Sequence, residues 1–369
     1  MLPHSLFFSI LFSFSIAHQI IHLNELKGNG FKNVIDVAPP FAVYFSGASD
    51  SEEDLKEIHL VTRDKKKSFY ELKNEKPEEF SSRLSPFHVS STAEITTSLE
   101  EFTELKGFAY IVSFDEIAEK CFRVYDVDRF EVVKTHKDVN CTLVFLNSNF
   151  HLRYPPSTKI SNWHQNELAV ANLYRGVPSQ EKTPVFSNPL EINGKSVLFI
   201  PETFSLRFEA FYIRTSNHVY LEVQPGHKSL HKHTTSGYTT TGFYMRKIGD
   251  PHERIEMICV RDTRFNGTVG AVVSGHMPSN KGSIGLITDD EAVFITPKKE
   301  KKVWTTELAD HLTISAKDTE EGEFFVQWFI VQDLQIAGTQ KPMKGAGKGA
   351  SGLNVIVQVL TIIFFSYFN

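Results

Sequence analysis

Leu206-Arg207-Phe208-Glu209-Ala210-Phe211-Tyr212-Ile213 decides how this chain is read. Leu206, Phe208, Ala210 and Tyr212 fall on one side of an extended backbone, and Arg207 and Glu209 fall on the other. A period of two places one face in a core and the other in water, the pattern of an antiparallel strand. Val219, Leu221 and Val223 repeat it in the next stretch. Strand-like runs recur at 41–45, 58–62, 108–114, 141–145, 196–200, 242–248, 255–260, 268–273, 292–295 and 324–331. Asn193-Gly194, Asn266-Gly267 and Asn280-Lys281-Gly282 supply turns between them. Many short strands with regular punctuation predict an all-β chain of antiparallel sandwiches. Helices are expected only at 161–174 and 98–105.

Composition narrows the class. The 369 residues carry 39 Lys+Arg against 44 Asp+Glu, a formal charge of −5, which argues against nucleic acid as a partner. Aromatics at 12% exclude a disordered chain, and 21 glycines exclude collagen. The middle of the chain has no apolar run of ~18 residues, so it is not a polytopic membrane protein.

Both ends carry targeting patterns. Leu6 to Ala17 (LFFSILFSFSIA) is apolar but too short to span ~30 Å of hydrocarbon. Ser15-Ile16-Ala17 places small residues at −3 and −1, so residues 1–17 read as a signal peptide cut after Ala17. A buried strand or an unusual N-terminal helix is the alternative. At the other end, Leu353 to Phe368 is a second apolar run with no Lys or Arg after it. Gly345-Ala346-Gly347 and a short spacer precede it, in the order of a GPI-attachment signal. The spacer is short, which leaves the attachment residue open between Gly345 and Gly349. A single-pass span is the alternative. These ends place residue 18 to about residue 345 at the outer face of the plasma membrane, in an oxidising environment.

Three cysteines remain: Cys121, Cys141 and Cys259. The sequence between Cys121 and Cys141 reads as a hairpin with its ends together, and a bridge there closes a loop of roughly 20 residues. Cys259 lies in an apolar run and reads as a buried thiol, with an intermolecular partner as the alternative. Asn140-Cys141-Thr142 and Asn266-Gly267-Thr268 are N-glycosylation sequons, giving Asn140 and Asn266 as candidate glycan sites.

Two runs are alike: Gly107-Phe108-Ala109-Tyr110-Ile111-Val112-Ser113-Phe114 and Gly322-Glu323-Phe324-Phe325-Val326-Gln327-Trp328-Phe329. Each could close one β-domain. The expected layout is a first β-domain at 18–118, a connecting region with the hairpin at 119–185, and a second β-domain at 186–334. A Gly/Lys-rich spacer at 335–352 and a removed tail at 353–369 follow. The stretch from Leu312 to Trp328, with Asp318 and Gly322, resembles the closing strand pair of a CUB domain. The whole layout is similar to the secreted CUB-like proteins of nematodes. The resemblance implies jelly-roll sandwiches and extracellular recognition, with a link to epithelial defence. It does not bring calcium with it, because the Tyr-Asp stretch of calcium-binding members is missing.

Signatures of catalysis are not found: the chain has no H-E-x-x-H, no G-x-S-x-G and no phosphate-binding loop. His227, His231 and His233 are the weak candidates for a metal site, but Lys228 and Lys232 would repel a cation. An exposed basic hairpin is the simpler reading. Lys65-Lys66-Lys67 and 298–302 read as solvated hairpin tips, or as patches for anionic glycan or lipid headgroups, and 50–54 as a solvated loop. The expectation is a non-enzymatic surface protein without cofactors. It would bind an unknown extracellular glycan or protein and reach the membrane through a lipid anchor. A metal-dependent surface enzyme or a structural matrix component are the alternatives.

Overall fold

The computed structural model describes residues 16–331, apart from 48, 76–80, 101, 103, 119–120, 152–155, 179–182, 193, 228–232, 237–238, 248–253, 260–267, 277–282, 289–291, 296–300, 305–310 and 318–321. Strands dominate, and most pairings are antiparallel. The all-β expectation therefore holds, but the described strands form three sheet pairs where the sequence suggested two.

The first pair packs the sheet His18–His22, Phe108–Ser113, Phe41–Ser46, Phe87–Val89 on the sheet Asn33–Val34, Ala93–Thr97, Ile58–Thr62, Lys66–Ser68. Val43, Phe45, Ala109 and Ile111 meet Ile58, Leu60 and Ile95 between them. In the second pair one sheet runs Phe186–Asn188, Val170–Arg175, Ala210–Ser216, Cys141–Leu146, Phe122–Asp126. The other runs Glu131–Lys134, Val219–His227, Pro156–Gln165, Phe204–Leu206. In the third, Ile200–Pro201, Thr240–Arg246, Glu323–Val331, Thr268–His276 and Lys301–Trp304 face a sheet centred on His311–Lys317.

Residues 119–185 are thus not a connector. They supply strands to both sheets of the middle sandwich, around Leu143, Phe145, Trp163, Leu173 and Ile213. The 161–174 stretch is extended, not helical. Trp163, Ala169, Ala171 and Leu173 are buried while Val170 is exposed, so long-range pairing overrides local helix preference. No described residue in 98–105 is helical. Among the described residues three short α-helices appear instead, at Glu52–Glu57, Phe69–Asn74 and Phe114–Ile117. The first starts inside the stretch read as a solvated loop. Asp50, before it, is only 7% exposed and accepts hydrogen bonds from the backbone N–H of Lys106 (2.8 Å) and Gly107 (2.6 Å). Burial pushes its carboxyl up, and those two donors pull against the shift.

The central strands are buried on both faces. In Phe108–Ser113, Ala109 and Ile111 enter the first core, while Phe108, Tyr110 and Val112 pack against Val144, Leu146, Ala210 and Tyr212 of the middle sandwich. In Glu323–Val331, Phe324, Val326, Trp328 and Ile330 fill the third core. Phe325 reaches the middle core, and Phe329 and Val331 meet the hairpin of Leu190–Ile192 and Lys195–Val197. The two similar sequence runs are therefore the inner strands that weld one sandwich to the next. The alternating stretch 206–213 breaks in two for the same reason. Phe204–Leu206 ends one strand, and Ala210–Ser216 begins another whose first four residues are all buried.

Candidate functional site

The face of the middle sandwich that meets the first one changes character along its length. Val144, Tyr212 and Tyr174 lie side by side in register, with the two tyrosine rings stacked at 4.7 Å. Two residues further along each strand, Thr142, Arg214 and Asn172 form the next row. This polar row lines an open cleft of about 860 Å³ with Asp138, Asn140 and Ser216 at its rim. The Arg214 side chain is exposed, and its guanidinium lies over the Tyr212 ring at 5.6 Å.

Asn217 fixes the rim. It turns the chain between Ala210–Ser216 and Val219–His227 with φ of 61°, a left-handed geometry that asparagine tolerates. Its Oδ1 accepts from the Asp138 N–H at 3.0 Å, and its Nδ2 donates to the Leu168 carbonyl at 3.1 Å. Its own carbonyl accepts from the Thr135 hydroxyl at 2.8 Å, and the Ser216 hydroxyl accepts from the Val170 N–H at 3.1 Å. One asparagine thereby holds two neighbouring loops around the cleft. Its lining offers one carboxylate, one guanidinium, two amides and hydroxyls. That set suits hydrogen bonding to a hydroxyl-rich or peptide ligand.

Asn140 is exposed at the mouth of this cleft, immediately before Cys141–Leu146. The next two sequon residues, Cys141 and Thr142, are buried. Cys121 and Cys141 are joined by a disulfide, with S–S 2.09 Å. The hairpin expected between them does not form. Phe122–Asp126 runs parallel to Cys141–Leu146, and the intervening Glu131–Lys134 crosses to the opposite sheet and pairs with Val219–His227.

The histidines are not brought into one sheet. His227 ends a strand of the middle sandwich opposite Pro156, whereas His233 begins a strand of the third opposite Glu256. His231 lies outside the described residues. So do Asn266, Gly345, Gly349 and the tail at 353–369. Cys259 ends the strand Arg254–Cys259, opposite Ser236. The carbonyl of Ala17 accepts from the Ser113 N–H at 2.9 Å, next to the edge strand His18–His22. Among the described residues no helix is long and apolar enough to cross a membrane.

Of the cleft residues, sequence reasoning found Asn140, Cys141 and Thr142, through the sequon and the expected disulfide. Arg214 carries a usable signal. It is the one charged residue in an otherwise apolar or hydroxyl-bearing strand, AFYIRTS. A displaced ionisable group also lies at the junction of the middle and third sandwiches. Burial pushes the Lys247 amine down to about 8; Arg175 and Arg207 push the same way, and Glu323 and Glu209 oppose.

A family model described as "Transmembrane glycoprotein" matches residues 38–360. No curated protein matches the chain. Among solved structures, the CUB1-EGF-CUB2 domains of rat MASP-1 match at 7% identity and a TM-score of 0.19, covering 56% of this chain and 99% of that one. The CUB1-EGF-CUB2 domain of human MASP-1/3 matches at 10% identity and a TM-score of 0.19, covering 57% and 100%. The mosquito-larvicidal Cry4Aa toxin from Bacillus thuringiensis matches at 6% identity and a TM-score of 0.18, covering 85% and 57%.

Proposed function

The chain belongs to the transmembrane glycoprotein family, and from that premise we propose that it is a membrane-tethered surface glycoprotein whose three sandwiches stand outside the cell and bind an extracellular ligand. The observation that carries the binding role is the cleft in which Arg214 lies between Thr142 and Asn172. Polar side chains there rest on a wall of paired strands, which presents hydrogen-bonding groups at low entropic cost. The role is recognition rather than catalysis. A glycan on Asn140 would stand at the mouth of the cleft and set which ligands can enter. Epithelial defence is the setting implied by the resemblance to nematode CUB-like proteins.

The tether is the apolar run 353–368, with processing to a glycolipid at Gly345 or Gly349 as the proposed form. The family description favours the second form, a retained span. Phosphatidylinositol-specific phospholipase C on intact cells separates them: release into the medium supports the lipid anchor, and retention of a surface-exposed chain supports the span. The binding role is tested with Arg214→Glu. A ligand found by screening the wild-type chain against glycan and ectodomain arrays should lose at least tenfold in affinity. Unchanged affinity would remove the cleft from the proposal.

A further inference from the structure

A second concave surface lies on the first sandwich, where the strand Lys66–Ser68 and the edge strand Phe87–Val89 come together. It is a cleft of about 520 Å³, within the ~300–1,000 Å³ of small-ligand sites. Lys65, Lys66 and Lys67 line it with Glu71, Glu75 and Phe87. His88 closes one side and also lines a smaller cleft of about 190 Å³, to which Arg83 and Arg123 contribute. His88 is the residue the two hollows have in common, and the three lysines line the first as a strip.

The carboxylates of the strip are committed. Glu71 is turned back on its own helix start, where its Oε2 accepts from the Ser68 N–H (2.7 Å) and the Ser68 hydroxyl (2.8 Å). Glu75 is taken by Lys67, whose ammonium also lies 4.9 Å from the centre of the Phe87 ring. Lys65 and Lys66 are exposed, and among the described residues no carboxylate pairs with either. Three adjacent lysines against two committed carboxylates leave the strip locally positive on a chain whose net charge is −5. Such a local inversion focuses anions.

We propose that this strip binds an anionic polysaccharide, a chain of sulfated or uronic-acid sugars. The adjacent charges of Lys65, Lys66 and Lys67 fit a ligand that repeats its negative charge along its length. The inference stands on this strip alone and does not need the Arg214 cleft.

The test uses the full chain, purified in detergent, on an immobilised sulfated polysaccharide across a salt series. Binding should weaken as salt rises, because exposed charges are screened. Lys65→Ala with Lys66→Ala should weaken binding about tenfold and flatten the salt dependence. Lys27→Ala with Lys32→Ala removes the same charge elsewhere on this sandwich and should leave binding unchanged. Equal loss in both double variants would overturn the proposal as general charge attraction. Undiminished binding to the desulfated polymer by the wild-type chain would overturn it too. Preferential binding to vesicles with 20–30% phosphatidylserine, lost in the Lys65/Lys66 variant, would assign the strip to lipid headgroups instead.

Discussion

Gln327→Leu is the most informative single substitution for the joint between the middle and third sandwiches. Gln327 is 1% exposed and sits in the outward row of Glu323–Val331, among Phe325, Phe329 and Val331. Its Oε1 accepts from the Ser187 N–H at 2.9 Å, and its Nε2 donates to the Ser187 carbonyl at 2.8 Å and to the Thr241 hydroxyl at 3.1 Å. Phe186–Asn188 is an edge strand with a partner on one side only, so the amide of Gln327 stands in for the missing neighbour. Leucine keeps the volume and leaves both main-chain groups of Ser187 without that partner. Thr241 keeps its bond to the Trp328 carbonyl at 2.7 Å. Two orphaned groups cost about 1–3 kcal/mol each, and the buried polar amide no longer has to be desolvated, so the net loss is about 2–3 kcal/mol. Urea unfolding followed by tryptophan fluorescence reads the loss, and native-state hydrogen exchange reads the protection of the Ser187 amide. A change below about 0.5 kcal/mol with that amide still protected would refute the clasp.

Other perturbations follow from the same contacts. Lys247 has a folded pKa of about 8 against 10.5 for the free side chain. Between those values the unfolded chain holds the extra proton, so stability rises as pH climbs through that window. Lys247→Met should therefore stabilise the fold at pH 7 by on the order of 1–2 kcal/mol after solvent screening, read as a higher melting temperature, and the gain should shrink toward pH 10. A gain equal at both pH values would show that charge is not the cause. Replacing Cys121 and Cys141 together by serine should cost about 3 kcal/mol, since the bridge closes a separation of 20 residues. A melting temperature as insensitive to reductant in the wild type as in that variant would contradict it. Asn140→Gln should remove one glycan from the secreted chain, visible as one mobility step, and an unchanged mobility would place Asn140 out of use.

Much of the fold is legible where one face of a strand meets water. The strands Ile58–Thr62 and Ala292–Ile295 match the sequence reading, and both alternate in burial along most of their length. What misleads is a strand buried twice. Phe41–Ser46, Cys141–Leu146 and the start of Ala210–Ser216 are buried throughout, because one sheet face enters its own core and the other the neighbouring sandwich. Such runs show strand but hide the partner, so the middle sandwich was invisible as a unit. Trp163 and Leu173 sit at spacings that also fit a helix, and only the pairing with Val219–His227 and Ala210–Ser216 decides. Of the cleft, Asn140 was visible through its sequon. Arg214, Asn172 and Thr142 come from three separated segments and meet only through register. The Cys121–Cys141 bond was legible from spacing, whereas the parallel geometry it ties was not.

The most direct test of the account is which side of the membrane the sandwiches occupy. With an epitope tag placed in 179–182 of the full chain, intact animal cells are stained before and after permeabilisation, and the lysate is treated with an N-glycosidase. The account predicts staining of intact cells and a drop in apparent mass on glycosidase treatment. Staining only after permeabilisation, with no mass change, would contradict it.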